Sequence, residues 1–359
     1  MTNIVTLNVP SQRQPDPVRH ASLMQSFALH RRFGDDVFWL KENAELLNIL
    51  ECTGAEVSEQ GLAAYAGFYR DVEKRLQFFP QYYRFLLSIC LDLEDIGFEG
   101  RKSEVLVRWA AQSGLAEAEL SDLQRMEARR LMMRRGVDPL PFDDGLEDRM
   151  RRFMARSSTF SMPNKKAAYE LTHAVFYLSE YGRRDPGLDR DTATSLEFVG
   201  VMAFLEQNAD LLAEVCVALV QGGFDVPEAW SDWLISHTQR FTVETGGQTT
   251  GHDDYHEFLV TNWMLAATGQ RAFVKPLTPE RMAFYRPDGV AGPLRELSEC
   301  MYKLDDRRSA DWEAMRPVVL DHMSEDARHV ITEAEGSCRD FDAFFQGFAR
   351  AGSLSGAAL

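Results

Sequence analysis

The chain has 359 residues, 45% of them hydrophobic and 26% charged, a composition that belongs to a globular protein with a substantial buried core. Lys and Arg total 39 against 55 Asp and Glu, for a formal charge of −16. A uniform nucleic-acid-binding surface is therefore not expected, because such a chain repels phosphate.

In chain order, residues 4–9 read as a short strand, and Pro10, Pro15 and Pro17 make residues 1–17 an extended N-terminal segment. From residue 18 to residue 350 apolar positions recur at helical spacing, broken by short turn signals, and read as a single all-helical domain. Residues 351–359 read as a flexible tail. Helices are expected near 36–50, 58–79, 80–97, 102–113, 117–135, 145–157, 163–182, 191–221 and 227–243. Further ones are expected near 252–268, 278–285, 291–304, 311–323 and 325–349. Period-2 strands with hairpin turns are not evident, so the fold class is all-α.

Two observations hint at internal repetition. Leu40–Leu47 (LKENAELL) echoes Leu205–Leu212 (LEQNADLL), and helical runs end on Gly97, Gly182 and Gly269 at spacings of about 85 residues. A degenerate unit of that length, repeated with few long linkers, predicts a closed α/α barrel or toroid rather than an open solenoid.

Five cysteines (Cys52, Cys90, Cys216, Cys300 and Cys338) include no C-x-x-C pair and read as reduced thiols. The N-terminus lacks the basic and apolar regions of a secretory signal. No stretch approaches the uncharged apolar length of a membrane span. A cytoplasmic protein without membrane contact is expected.

The helix expected at Asn164–Gly182 carries an apolar stripe of Leu171, Ala174, Val175 and Leu178. Glu170, His173 and Tyr177 lie on its other side, and Phe176 lies between. Glu170 and His173 have the i, i+3 spacing by which carboxylate-bridged metal centres place two ligands on one helix face. Glu170–Asp185 (ELTHAVFYLSEYGRRD) resembles a phrase of uncharacterised bacterial helical proteins, L-T-H-x-x-F-Y-L-[TS]-[DE]-x-G. The resemblance implies no activity and directs attention to Glu170, Thr172, His173 and Tyr177.

A second group follows the loop Thr245–Gly251 (TGGQTTG). On a helix starting at His252, the side chains of His252, His256, Leu259, Trp263 and Ala266 share one stripe. Two imidazoles four residues apart suit a divalent metal, yet Asp253 and Asp254 replace the glutamate of H-E-x-x-H, so a zincin-type protease is a poor fit. The same acids oppose a phosphate in the glycine-rich loop. His173 with His252 or His256 would form a metal site, completed by a carboxylate such as Glu197, Glu206, Glu214, Asp92, Glu94 or Asp95. In the plainer reading each histidine is hydrogen-bonded in the core. Acids stand three residues before His173, His256 and His329, a slight excess for a chain this acidic.

Asp92-Leu93-Glu94-Asp95 resembles the D-x-D-D acid of class II terpene cyclases over four residues, with Glu94 departing from the pattern. It reads equally as an exposed acidic helix end. Arg125, Arg129, Arg130, Arg134, Arg135, Arg149, Arg151, Arg152 and Arg156 form a basic stretch with Lys165 and Lys166. Guanidinium groups such as Arg129, Arg130, Arg134, Arg151 and Arg152 suit a small anion or an acidic partner, or pair with neighbouring acids on a solvated face. Nucleophile elbows, Walker loops and Rossmann fingerprints are missing.

The residues thus predict an enzyme whose helical cavity is lined by His173, Tyr177, His252, His256 and Trp263, with Glu170, Tyr177 and the histidines in the chemistry and Trp263 against a cofactor or ligand. The alternatives are a non-catalytic helical binding protein and a terpene-cyclase-like acid catalyst.

Overall fold

The computed structural model describes residues 15–34, 36–246, 252–289 and 292–351. The expected strand at 4–9, the loop at 247–251 and the tail beyond 351 lie outside them.

Helix starts follow local side-chain chemistry. Asp36, Ser121, Asn164, Asp189, Asn208 and Asp311 each accept a hydrogen bond from a backbone N–H in the first turn of the helix they precede. The first half of the chain forms α1 (Asp16–Ser26), a π-helical turn (Phe27–Arg31), α2 (Val37–Cys52), α3 (Glu59–Ala63) and α4 (Ala66–Phe78). A 3₁₀ turn (Pro80–Tyr82) leads into α5 (Tyr83–Ile96), followed by α6 (Lys102–Gln112), α7 (Asp122–Met133), α8 (Leu146–Met154) and α9 (Ser157–Phe160). Then come α10 (Lys165–Leu178), α11 (Arg190–Glu206), α12 (Ala209–Gln221) and α13 (Glu228–Gln239). Strand β1 (Thr242–Thr245) pairs antiparallel with β2 (Met282–Tyr285) across α14 (Tyr255–Ala267), with Thr242 opposite Tyr285. Helices α15 (Leu294–Leu304), α16 (Trp312–His322), α17 (Glu325–Ser337) and α18 (Phe341–Ala349) complete the chain.

The protein is mainly all-α. Residues 16–17 are already helical, because Pro17 sits in the first turn, where a missing N–H costs nothing. The expected helix at 278–285 is instead β2. The long helix expected over 191–221 breaks at Gln207, which adopts φ 57° while Asn208 caps α12.

Six helices form the frame of the site. They begin at residues 37, 83, 122, 165, 209 and 255. α2 packs on α5, α5 on α7, α7 on α10, α10 on α12 and α12 on α14, and α14 returns to α2. Of the helices that intervene in sequence, α4, α6, α8, α11 and α13 pack against members of this cycle, α3 packs on α1 and α9 on α11; the 3₁₀ turn before α5 adds Gln81 and Tyr82 to the cavity lining. Buried apolar residues from Leu23 to Ala349 join in one cluster, which continues into α15–α18 through Trp312, Phe341, Phe344, Phe345 and Phe348. No helix among the described residues is long and apolar enough to cross a membrane.

The two echoing phrases are not structurally equivalent. Asn43 lies within α2, donating to the Trp39 carbonyl at 2.8 Å, whereas Asn208 caps α12.

Candidate functional site

The six-helix cycle encloses a cavity of about 260 Å³. α10 contributes His173, Phe176 and Tyr177, and α14 contributes His256, Leu259, Val260 and Trp263. The two histidines, some eighty residues apart in the chain, therefore meet in one space.

His173 sits one helical turn beyond Tyr169, and its Nδ1 donates to the Tyr169 carbonyl at 2.6 Å. That bond fixes the tautomer, leaving the lone pair of the neutral ring on Nε2. His256 is held differently. Its Nδ1 donates to Asp210 Oδ1 at 2.7 Å and its Nε2 lies 3.7 Å from Glu45 Oε1. Burial disfavours the charged imidazolium, but the Asp210 hydrogen bond and the Glu45, Asp210 and Glu214 charges outweigh it and raise its pKa to about 9.

The carboxylates around it divide by environment. Burial pushes Asp210 up, but its bonds to His256 and the Tyr169 hydroxyl (2.7 Å) win and hold it below the usual range. Glu214 is 3% exposed, and burial raises its pKa although the charges of His173 and His256 and the Thr172 hydroxyl (2.6 Å) oppose this. Burial also raises Glu45 against the charges of His256 and Lys41. One ligand atom from each of Asp210, Glu214 and His256 lies within 4.8 Å of the others, a spacing that could hold a cation.

Part of the cavity wall is aromatic and cationic. The Arg130 guanidinium from α7 lies 4.4 Å from the Tyr181 ring centroid and 5.4 Å from that of Tyr177. Trp263 packs 4.8 Å from Phe176 and stacks 5.7 Å from Tyr181. Tyr181 reaches this wall because the chain turns sharply after α10. Glu180, Tyr181 and Gly182 all have positive φ (50°, 57° and 89°), and Tyr181 N–H donates to the Phe176 carbonyl at 2.8 Å. Two consecutive non-glycine residues in the left-handed region are strained, and such strain clusters at functional sites. Burial pushes the Tyr177 and Tyr181 phenols well up, so both stay neutral.

Polar satisfaction is incomplete here. Among the described residues, seven buried side-chain nitrogen or oxygen atoms lack a hydrogen-bond partner, and four of them belong to lining residues: Glu45 Oε2, Asn48 Nδ2, and Arg130 Nε and Nη1. Glu127, one turn before Arg130, spends its carboxylate on Arg84 instead.

His173, Tyr177, His256 and Trp263 all line the cavity. His252 does not, because α14 begins only at Tyr255; the residue is exposed and the expected i, i+4 pair is not on one helix. The Asp253 side chain is 2% exposed and takes a bidentate bond from Arg31. Glu170 lies outside the lining and pairs with Lys166 at 3.4 Å. The acids of the terpene-cyclase likeness are neutralised rather than exposed. Asp92 is buried against Arg134 at 2.6 Å and Ser88 at 3.1 Å. Burial raises Asp95, but its Arg135 and Arg134 bonds prevail and lower it. An acid that protonates an alkene must hold its proton, so the geometry gives that likeness no support.

Nor do the arginines form one docking face. Arg129 binds Asp138 at 2.6 Å, Arg134 is buried between Asp92 and Asp95, Arg151 donates to the Gly187 carbonyl at 3.0 Å, Arg152 is exposed, and Arg130 turns inward.

Sequence reasoning missed Asp210, Glu45, Asn48 and the inward turn of Arg130. One signal was available: Glu45 and Asp210 occupy the same position in LKENAELL and LEQNADLL, and both meet His256.

No curated protein and no solved structure matches the chain. A family model described as a domain of unknown function, DUF6902, matches residues 1–351, and the chain belongs to that family.

Proposed function

We propose that the six cyclically packed helices form an α/α ring around an active site, and that the protein is an enzyme performing general acid–base chemistry on a small molecule. His173 Nε2 accepts a proton from the substrate, and His256, oriented by Asp210, donates one. Glu214, held by the Thr172 hydroxyl at 2.6 Å, lines the same cavity with a carboxylate oxygen within 4.8 Å of His256. Tyr177, Tyr181 and Trp263 form the apolar wall against which the substrate is positioned.

The observation that carries this reading is the concentration of unpartnered buried polar atoms on Glu45, Asn48 and Arg130, around the cavity that also holds both histidines. Nearly all buried polar groups in folded proteins are paired, so such a concentration marks a place where a ligand completes the bonding.

The test is to incubate the purified protein with a small-metabolite extract and follow the pool by mass spectrometry. Depletion of a compound by the native protein, lost in His173→Ala and His256→Ala, is the expected result. A compound retained by the protein but never converted would replace the enzyme with a binding protein.

A second reading has one specific observation behind it. The spacing of Asp210, Glu214 and His256 suits a divalent cation, with His173 facing the same cavity. Stoichiometric metal in the native protein, lost in Glu214→Gln and His256→Ala, would favour it.

A further inference from the structure

We infer that Arg130 is the receptor for an oxyanion, and that the cavity takes a small organic anion with a flat apolar body. This inference rests on the reading of the cavity as a substrate site and names the substrate class.

Arg130 is 6% exposed, and its Nε and Nη1 have no hydrogen-bond partner among the described residues. A permanently charged guanidinium enclosed in this way ordinarily meets a carboxylate. Here the nearest acid on its own helix, Glu127, is taken by Arg84, which Glu119 also holds at 3.1 Å. What Arg130 does have is aromatic support from Tyr181 and Tyr177. Stacking over ring faces steadies the cation and leaves its in-plane N–H donors unused, in the planar fork that fits a carboxylate or phosphate.

The rest of the cavity sets the shape of the ligand. Asn48 Nδ2 is a second buried donor without a partner in the lining. Tyr181, Phe176 and Trp263 make a stacked aromatic wall beside the guanidinium. Glu45 Oε2, an acceptor without a partner, suits a hydroxyl or ammonium group elsewhere on the same molecule. A space of about 260 Å³ limits the ligand to a small metabolite.

Isothermal titration of the full chain with benzoate, phenyl phosphate and the neutral benzamide tests this. The native protein should bind at least one of the two anions and not benzamide, and the preferred anion identifies the group as carboxylate or phosphate. Arg130→Met should weaken that binding about ten- to a hundredfold, the range of a charge-assisted hydrogen bond. Arg130→Lys should fall between them, and Arg152→Met, at an exposed arginine, should match the native protein. Should Arg130→Met fail to fold, Asn48→Asp, which adds a carboxylate to the same lining, should abolish anion binding. Equal binding of benzamide, undiminished binding in Arg130→Met, or no binding of either anion by the native protein overturns the inference. Turnover and clamp fail separately. Anion binding kept in a protein that converts nothing removes the enzyme reading alone. Turnover in Arg130→Met with unchanged KM removes the clamp alone.

Discussion

Asp210→Asn provides a quantitative test of the charge balance at the polar end of the cavity. Asp210 makes the 2.7 Å bond to His256 Nδ1 and is the leading influence that raises the histidine to about 9 from its ordinary 6.5. A shift of that size corresponds to a ceiling of about 3 kcal/mol of folding free energy. The His256 side chain is 33% exposed, so solvent screening discounts this to about 1–2 kcal/mol. The sign follows from the raised value: the stabilisation is fully present below about pH 6.5 and is lost as pH rises through about 9. The native protein should therefore lose about 1–2 kcal/mol between those limits from this group. In Asp210→Asn His256 should titrate much lower, and the stability gap between the two proteins should be widest near pH 6.5 and close by pH 10. Urea unfolding at several pH values, with an NMR titration of His256, measures both quantities. A native His256 that titrates near 6.5, or a gap that does not change with pH, would refute the reasoning.

Three further outcomes are expected from other parts of the molecule. Arg31 joins Glu42, Asp253 and the Met282 carbonyl in a buried network at 2.6–2.9 Å; Arg31→Met leaves Asp253 without its cation and Glu42 with Arg32 alone and should cost about 3–5 kcal/mol in urea unfolding, whereas a loss under about 1 kcal/mol would show that the network contributes little. Gly200 in α11 faces the buried Trp230 ring so closely that a Cβ would overlap it. Gly200→Ala should destabilise by about 1–3 kcal/mol through overpacking, and an unchanged melting temperature would count against the packing described. Glu180→Gly relieves a left-handed non-glycine residue beside Tyr181 and should raise stability by up to about 1 kcal/mol without altering ligand binding; a decrease would mean that the turn is not strained.

Much of the helical architecture was legible because helical periodicity and capping residues are local signals. Breaks inside long apolar runs were harder to read. Leu196–Leu219 is apolar on both sides of a polar cluster, Glu206, Gln207, Asn208 and Asp210, and such a cluster reads equally as the solvent-facing turn of one long helix. Only Gln207 in a left-handed conformation and Asn208 capping the next helix divide it. Strand β2 (MAFY) is too short to show alternation and is defined by pairing with β1, a long-range event. Glu45 and Asp210 hold the same place in the echoing phrases Leu40–Leu47 and Leu205–Leu212 and both approach His256, although the backbones around them differ.

At the site, His173, Tyr177, His256 and Trp263 could be read because each lies on the inner face of a helix whose other face is also apolar. His252 could not be placed, since it depended on where α14 begins, and helix starts shift by a turn without changing the periodicity. The role of Arg130 was hidden for a different reason. Among so many arginines, only the three-dimensional allocation of acids to Arg84, Arg129 and Arg134 leaves this one facing the cavity without a carboxylate.

Native mass spectrometry of the protein after incubation with a metabolite extract tests most directly whether this cavity is built for a ligand. The native protein should retain a small anionic compound, and Arg130→Met should retain much less of it. The same adduct on both proteins, or none on either, would contradict the account.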